Sequence, residues 1–201
     1  MTAIVGYVAK DGAVYLGGDS AATDNDIKII QTEPKVWRLT PHLVIGVSGA
    51  GRLNDLVRVF LPRHLPDETT LQSDYVVHLA EALRDLLKNH GCVTETKGQI
   101  EADGSFLVGY AGVLYSIDCA FSVVKHSERI AARGCAKELA LGALHTLETL
   151  TEDDGQDYKP AFRLEMALEA AARFDIHVAP PWTFVQTDPI EAAVLKLWKQ
   201  N

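Results

Sequence analysis

Two hydrophobic periods alternate along the chain, and the changes between them separate blocks of strands from blocks of helices. Short apolar runs at 3–9 and 13–17 flank an Asp-Gly pair at 11–12. An Asp-Gly turn between two such runs is typical of a β-hairpin, because a tight hairpin turn needs positive φ. The apolar runs at 34–39 and 42–48 predict a second hairpin.

The pattern then changes to the spacing of amphipathic helices. Apolar positions three and four residues apart predict helices at 52–61 and 73–90, the second capped by Ser73 and ended by Gly91. The polar segment 92–104 is interpreted as a loop. The remaining predicted elements are strands at 105–110, 113–118, 120–124 and 128–132, helices at 135–150 and 160–174, a strand at 182–187 and a short helix that begins at Pro189.

The order of these blocks predicts the fold class. Strands, two helices, strands, two helices and a final strand follow one another, which indicates an α+β protein and not the regular alternation of a doubly wound sheet. Two antiparallel sheets, each covered by a helix pair, give a four-layer αββα sandwich. The chain has 201 residues and neither an internal repeat nor a linker. This length fits one domain spanning 1–201.

Composition excludes several classes of function. The formal net charge is −8 and no cluster of basic residues occurs, which argues against nucleic-acid binding. No apolar stretch reaches the roughly 20 residues that a membrane span needs. Residues 2–8 lack the basic flank of a secretory signal, and three widely spaced cysteines fit reduced thiols, so we expect a cytoplasmic protein. Neither cysteines nor histidines have metal-ligand spacing, so we expect no metal and no other cofactor.

Candidate chemistry concentrates in the first fifty residues. Removal of Met1 leaves Thr2 with a free α-amine, whose reference pKa is about 8, beside its own hydroxyl, which is a nucleophile–base pair in one residue. Asp19 follows two glycines at a strand end, and Lys35 begins an apolar strand. At Gly49 a strand meets a helix N-terminus, where backbone N–H groups can stabilise an oxyanion. Taken singly, each feature also fits a purely structural role.

Together these residues carry a family resemblance. Thr2 stands at the start, Lys35 follows Asp19 by sixteen residues, and a strand leads into the small-residue turn at 46–51. The segment 2–55 resembles the proteasome β-subunit and HslV-like family of N-terminal-nucleophile (Ntn) threonine peptidases. The resemblance is weak from there to about 125 and returns faintly at 131–134 and 170–176, and the predicted order of elements agrees with the family throughout.

The resemblance implies a role for five residues. Thr2 would attack the scissile carbonyl after its own α-amine, directly or through a water, has taken the hydroxyl proton. Lys35 would favour the deprotonated form of Thr2, and Asp19 would hold Lys35. Gly49 would donate its backbone N–H to the oxyanion, and Asp175 would help to orient the N-terminus.

The resemblance also implies a pocket for the substrate side chain that precedes the scissile bond. Carried over to this sequence, that pocket is formed by Ala22, Thr23, Glu33, Trp37 and Val47. Glu33 either lines this pocket, in which case substrates with Lys or Arg are preferred, or faces solvent beside Pro34.

Two segments depart from the family pattern. Arg133 stands where the family commonly has a serine that supports the terminal amine, so the amine has a different charge environment or the turn is built differently. His177 and the Pro-Pro pair at 180–181 replace a polar turn that can hold a monovalent cation in the bacterial relatives.

The implied function is proteolysis inside a homo-oligomeric ring, with a peptide or unfolded protein as substrate. An ATP-dependent unfoldase would be the partner for folded substrates, because this chain has no phosphate-binding loop of its own. Two alternatives remain open. One is an Ntn amidase that acts on a small amide, and the other is an inactive proteasome-like scaffold, which Arg133 favours. Retention of Met1 would also remove the amine base.

Overall fold

The computed structural model describes residues 2–24, 27–66, 74–154 and 157–190. Numbered in chain order, the strands are β1 Ala3–Val8, β2 Val14–Gly18, β3 Ala21–Asp24, β4 Ile27–Ile30, β5 Val36–Thr40, β6 Leu43–Gly49, β7 Val93–Thr96, β8 Gln99–Ala102, β9 Gly104–Tyr110, β10 Val113–Ile117, β11 Val123–Lys125, β12 Ile130–Gly134 and β13 Thr183–Gln186. The helices are α1 Gly51–Val59, α2 Tyr75–Asn89, α3 Lys137–Asp154 and α4 Pro160–Phe174, with a single 3₁₀ turn at Leu61–Arg63.

Two antiparallel sheets carry the structure. One has the strand order β12-β1-β2-β13, and the other has the order β11-β10-β9-β6-β5. The strand β1 lies inside the first sheet, where Ala3 pairs with Gly134 of β12 and Val5 pairs with Gly17 of β2. The start of the chain is therefore held between two neighbouring strands. The hairpins β3-β4 and β7-β8 form separate two-stranded sheets.

Both faces of β1 are buried, which explains its nearly continuous apolar run. Side chains of successive strand residues point to opposite faces of a sheet. Ala3, Val5 and Tyr7 pack against the cluster that contains α3 and α4, whereas Ile4 packs against the opposite sheet. The strand therefore separates two apolar layers.

Three apolar layers separate the sheets and helices into four layers of secondary structure. The layer between the sheets contains Ile4, Val14, Leu16, Val36, Val44, Leu107, Leu114 and Ala131. A second layer lies between the five-stranded sheet and the helices α1 and α2, and a third lies between the four-stranded sheet and the helices α3 and α4. The predicted four-layer αββα sandwich is confirmed. None of the helices in the described ranges combines the length and the apolar character needed to cross a membrane.

Glycines allow the two sheets to approach each other closely. A Cβ added at Gly109 would lie 2.5 Å from Cγ1 of Val14 and 2.7 Å from Cγ2 of Val44. A Cβ added at Gly46 would lie 2.6 Å from Cγ2 of Ile4. These distances are shorter than carbon–carbon contact distances, so the sheets could not pack at this spacing with larger residues.

Two hairpins differ from the sequence-based expectation. The segment 92–104, interpreted as a loop, forms β7 and β8, joined by Lys97 and Gly98 with φ values of 52° and 82°. Two positive φ values are typical of a type I′ turn, but Lys-Gly is not one of the dipeptides that signal it. The pattern at 21–30 predicts no element, although β3 and β4 lie there. The β4 residues are exposed, and a strand without a buried face leaves no hydrophobic period.

Most other boundaries agree within one or two residues, and α4 begins and ends at the predicted residues. The strand predicted at 120–124 is displaced, because a turn at 119–120 delays the start of β11 to Val123. The helix predicted at 135–150 continues to Asp154. Two expectations lie outside the described residues, namely Ser73 as the cap of α2 and the short helix after Pro189.

The contact between the sheets generates the first prediction. Gly109→Ala should lower the free energy of unfolding by about 1–3 kcal/mol, because the added methyl group has to displace Val14 and Val44. Gly142→Ala is the matched control, since Gly142 is exposed in the middle of α3 and a Cβ there meets no atom within 4 Å. The control should stabilise the protein by up to about 1 kcal/mol through helix propensity. Urea unfolding followed by circular dichroism measures the free energy of unfolding of both variants. Equal effects of the two substitutions would contradict close packing of the sheets at Gly109.

Candidate active site

A cleft of about 680 Å³ opens beside the start of β1, and this volume lies within the usual range for ligand sites. The cleft is lined by Thr2, β3 with Gln31 and Lys35, the turn between β6 and α1, the start of β9, and the turn between β12 and α3. Because these segments come from both sheets, the cleft depends on the sandwich being assembled.

The carboxylate of Asp19 ties three parts of the cleft together. Its Oδ1 accepts a hydrogen bond from the backbone N–H of Ala3 at 2.9 Å and another from Nζ of Lys35 at 2.8 Å. Its Oδ2 accepts the backbone N–H of Ala21 at 2.9 Å. Asp19 is 1% exposed. One buried carboxylate thus fixes the residue that follows Thr2, the first residue of β3 and the ammonium group of Lys35.

Lys35 is a buried cation in the floor of the cleft. Its side chain is 3% exposed, and its Nζ also donates a hydrogen bond to the carbonyl of Ala21. Burial lowers the pKa of Lys35 below its usual value, although the Asp19 carboxylate opposes this shift by favouring the charged ammonium. Lys35 consequently gives up its proton more readily than a lysine on the surface.

Thr2 lies in the wall of the cleft and is 3% exposed. Its carbonyl oxygen is 3.5 Å from Sγ of Cys135. Gly134 has a φ of 104°, and a Cβ added there would lie 1.9 Å from the carbonyl oxygen of Thr2. A glycine is therefore required beside Thr2. Met1 lies outside the described residues.

Gly49 ends β6 and forms part of the cleft, as the oxyanion hypothesis requires. Its φ is 143°, and a Cβ at this position would lie 2.2 Å from the carbonyl oxygen of Asp103. The same carbonyl accepts the N–H of Ala50 at 2.9 Å, so the Ala50 N–H is already used within the protein.

Asp175 lies behind the cleft and is connected to it through Cys135. Its Oδ1 accepts the backbone N–H of His177 at 2.8 Å and lies 3.0 Å from the Nδ1 of the same histidine. Burial tends to raise the pKa of Asp175, but hydrogen bonds from His177 and the Cys135 thiol outweigh burial and hold the pKa below its usual value. Burial raises the pKa of the Cys135 thiol, and the Asp175 carboxylate raises it further, so this thiol remains protonated.

The residues predicted for the side-chain pocket do not all reach the cleft. Ala22 and Thr23 line it. Glu33 lies on the surface, with its carboxylate 3.5 Å from Nε of Arg58. Val47 points into the layer beneath α1 and α2, and Trp37 packs against the same layer.

Several cleft residues were not predicted from the sequence. Gln31, Asn54, Asp103 and Lys137 are polar residues from four different segments, and no spacing pattern connects them. Within the described ranges, no group of three or more His, Cys, Asp or Glu side chains could hold a metal ion.

Comparison with known proteins places the fold. No protein-family model matches the sequence, and no curated protein matches it either. Solved structures do match. HslV from Trypanosoma brucei gives a TM-score of 0.71 at 20% sequence identity and covers 93% of this chain and 99% of that chain. This chain has the HslV fold.

BPH from Thiobacillus denitrificans has the same fold. Its complex with epoxomicin gives a TM-score of 0.74 at 16% identity over 94% of this chain and 100% of that chain. A second BPH structure gives a TM-score of 0.74 at 16% sequence identity and covers 93% of this chain and 98% of that chain. The resemblance to the HslV-like family is therefore confirmed at the level of the fold, and the HslV fold accounts for nearly the whole chain.

The buried ion pair generates the second prediction. Asp19→Asn leaves the Lys35 ammonium buried without its counter-charge, and we expect a loss of about 3–5 kcal/mol in the free energy of unfolding. Asp188→Asn is the matched control, because Asp188 pairs with Arg38 at the same 2.8 Å but on the surface. The control should change stability by about 1 kcal/mol or less. Denaturant unfolding measures both variants, and a small effect at Asp19 would mean that the ion pair does not hold the site.

Proposed function

We propose that this chain is a threonine-type endopeptidase of the proteasome and HslV kind, with Thr2 as the nucleophile once Met1 has been removed. The observation that carries the proposal is the bridging position of the Asp19 carboxylate. One of its oxygens accepts hydrogen bonds from the residue after Thr2 and from Lys35, at 2.9 and 2.8 Å. The backbone of the residue next to the nucleophile and the cation are thus bound by the same atom.

In this mechanism, the α-amine of Thr2 accepts the hydroxyl proton, directly or through a water, as Oγ1 attacks the scissile carbonyl. The Lys35 ammonium stabilises the deprotonated oxygen by Coulomb attraction, which is strong in a buried site. Asp19 acts as a positioning residue, because its carboxylate holds Lys35 and the backbone of Ala3.

The tetrahedral intermediate needs a donor for its oxyanion. The backbone N–H of Gly49 has this role, since Gly49 lines the cleft and the neighbouring Ala50 N–H is engaged by Asp103. When the intermediate collapses, the amine leaving group takes the proton from the Thr2 ammonium, and Oγ1 is left as an ester. Water then attacks the ester, with the α-amine again accepting a proton, and frees the carboxylic acid product.

Asp175 positions Thr2 through Cys135. The Cys135 thiol is within hydrogen-bonding reach of both the Asp175 carboxylate and the Thr2 carbonyl. Asp175 thereby stabilises the turn between β12 and α3, against which the N-terminal strand begins.

The enzyme works as a homo-oligomeric ring in the cytoplasm, with the Thr2 sites facing an enclosed chamber. Exposed apolar side chains on and just after α3 and α4 support this assembly, because a neighbouring subunit would cover them. They are Leu139, Leu141, Phe162, Met166, Phe174 and Ile176. Peptides and unfolded proteins are the substrates, and an ATP-dependent unfoldase is the partner for folded ones.

The nucleophile is tested by substitution. Thr2→Ala should abolish peptide hydrolysis and leave the fold intact, because the methyl group cannot attack a carbonyl. Thr2→Ser should retain part of the activity, since it keeps the hydroxyl beside the amine. Hydrolysis of an unstructured peptide measures this, together with N-terminal sequencing of each variant. Wild-type activity in Thr2→Ala would refute the mechanism, and an inactive wild type that lacks Met1 would favour the scaffold.

Assembly is tested by molar mass. Light scattering coupled to size-exclusion chromatography should give a mass several times that of one chain over a wide range of concentrations. Phe162→Ser with Met166→Ser should reduce this mass, because the double variant makes the apolar face of α4 polar. A stable monomer in the wild type would rule out a compartment and support an amidase acting on small amides.

A further inference from the structure

The cleft beside Thr2 carries an excess of positive charge. Arg133 of β12 and Lys137, the first residue of α3, line it together with Lys35. Asp19 neutralises Lys35 at 2.8 Å. Of the residues described in the cleft wall, Asp103 alone is acidic. A chain with a net charge of −8 therefore has a locally cationic wall at its candidate active site.

The Nε–H of the Arg133 guanidinium has no acceptor among the described residues. Arg133 pairs with Ile4 across β1 and β12. Its Nε is buried, and no described residue accepts a hydrogen bond from it. A buried N–H without an acceptor is destabilising by about 1–3 kcal/mol, and more when the group is charged.

The charge of Arg133 acts on its surroundings. Burial lowers the pKa of His126, and the nearby Arg133 lowers it further. The imidazole of His126 is engaged with Ser116 at 2.7 Å. An imidazole carries no negative charge in either protonation state, so His126 does not compensate the charge of the guanidinium.

A second unpartnered donor lies on another wall. Nε2 of Gln31 is buried and has no partner within the described part of the chain. Gln31 lies between β4 and Lys35, whereas Arg133 belongs to β12. Both residues nevertheless line the same cleft. Two uncompensated donors together with the ammonium of Lys137 match a ligand that carries hydrogen-bond acceptors and negative charge.

We propose that Arg133 and Lys137 bind a carboxylate of the substrate, so that the site selects peptides with Asp or Glu next to the scissile bond. The proposal rests on the proposed peptidase function. Arg133 is the main determinant, because a planar guanidinium binds a carboxylate through two parallel hydrogen bonds. Lys137 contributes less, since its ammonium is half exposed and lies 3.7 Å from Glu138. Glu33, which would favour basic substrates, lies on the surface beside Arg58.

A set of matched peptides tests this specificity. The peptides differ only in whether Glu, Gln or Lys occupies the position before or after one scissile bond. For the wild type, kcat/KM should be at least about tenfold higher with Glu than with Gln at one of these positions, as expected for a charge-assisted hydrogen bond. Arg133→Gln should bring this ratio close to one, and Arg133→Lys should retain part of it. Arg63→Gln, an exposed arginine outside the cleft, should leave the ratio unchanged.

Two results would overturn the proposal. One is a wild type that cleaves Gln and Glu peptides equally. The other is an Arg133→Gln variant that slows all peptides by the same factor and shifts the pH profile of kcat, because Arg133 would then act on the Thr2 amine and not on the substrate. Circular dichroism confirms that each variant is folded.

Binding to the Thr2→Ala variant separates this proposal from the proposed function. If no peptide is cleaved by the wild type, the peptidase function fails. Isothermal titration of the Thr2→Ala variant with the same peptides still measures recognition of the carboxylate. Tighter binding of the Glu peptide, lost on adding Arg133→Gln, supports the carboxylate site, and equal dissociation constants refute it.

Discussion

The buried ion pair between Asp19 and Lys35 is the constraint on which the rest of the structure depends. The two charges lie 2.8 Å apart with side chains almost completely excluded from water. Removing two ions from water is unfavourable by several kcal/mol for each, and attraction offsets this only when further hydrogen bonds satisfy the pair. Here the backbone N–H groups of Ala3 and Ala21 donate hydrogen bonds to the Asp19 carboxylate. The Ala21 carbonyl accepts a hydrogen bond from the Lys35 ammonium. The pair thus requires β1, β3 and the start of β5 to meet at one point.

Close packing of the sheets keeps this point dry. Gly46 pairs with Val36, the residue after Lys35, and any larger side chain at Gly46 would collide with Ile4 of β1. Because the sheets touch so closely there, water is excluded from the interior side of the ion pair, and its electrostatic interaction is strengthened. On its other side the ion pair borders the cleft, which Lys35 lines. The glycines between the sheets and the charges at the site are therefore parts of one arrangement.

Burial explains which features could be predicted from the sequence. Elements with a buried face, such as α4 and the central strands β1 and β9 of the two large sheets, impose a hydrophobic period, and the sequence predicts their bounds closely. The hairpin β7-β8 is mostly exposed, although Val93, Ile100 and Ala102 pack against the core, and its Lys-Gly turn gives no signal. The pair of Asp19 and Lys35 could be predicted only from the resemblance to the HslV-like family, in which an Asp and a Lys have the same spacing of sixteen residues. The sequence left open whether Glu33 lines the cleft and did not identify Gln31, because the segment 31–35 is irregular and no period determines which side chain faces the cleft.

The turn between β12 and α3 accounts for the arginine at the position of the expected serine. A serine there would support the N-terminal residue, but in this chain the thiol of Cys135 contacts the Thr2 carbonyl and the Asp175 carboxylate. Gly134 makes room for that contact, since any side chain would meet the same carbonyl. The support of Thr2 has thus moved two residues along the chain. Arg133, relieved of that role, is one of the residues that line the cleft, where we propose that it binds a carboxylate of the substrate.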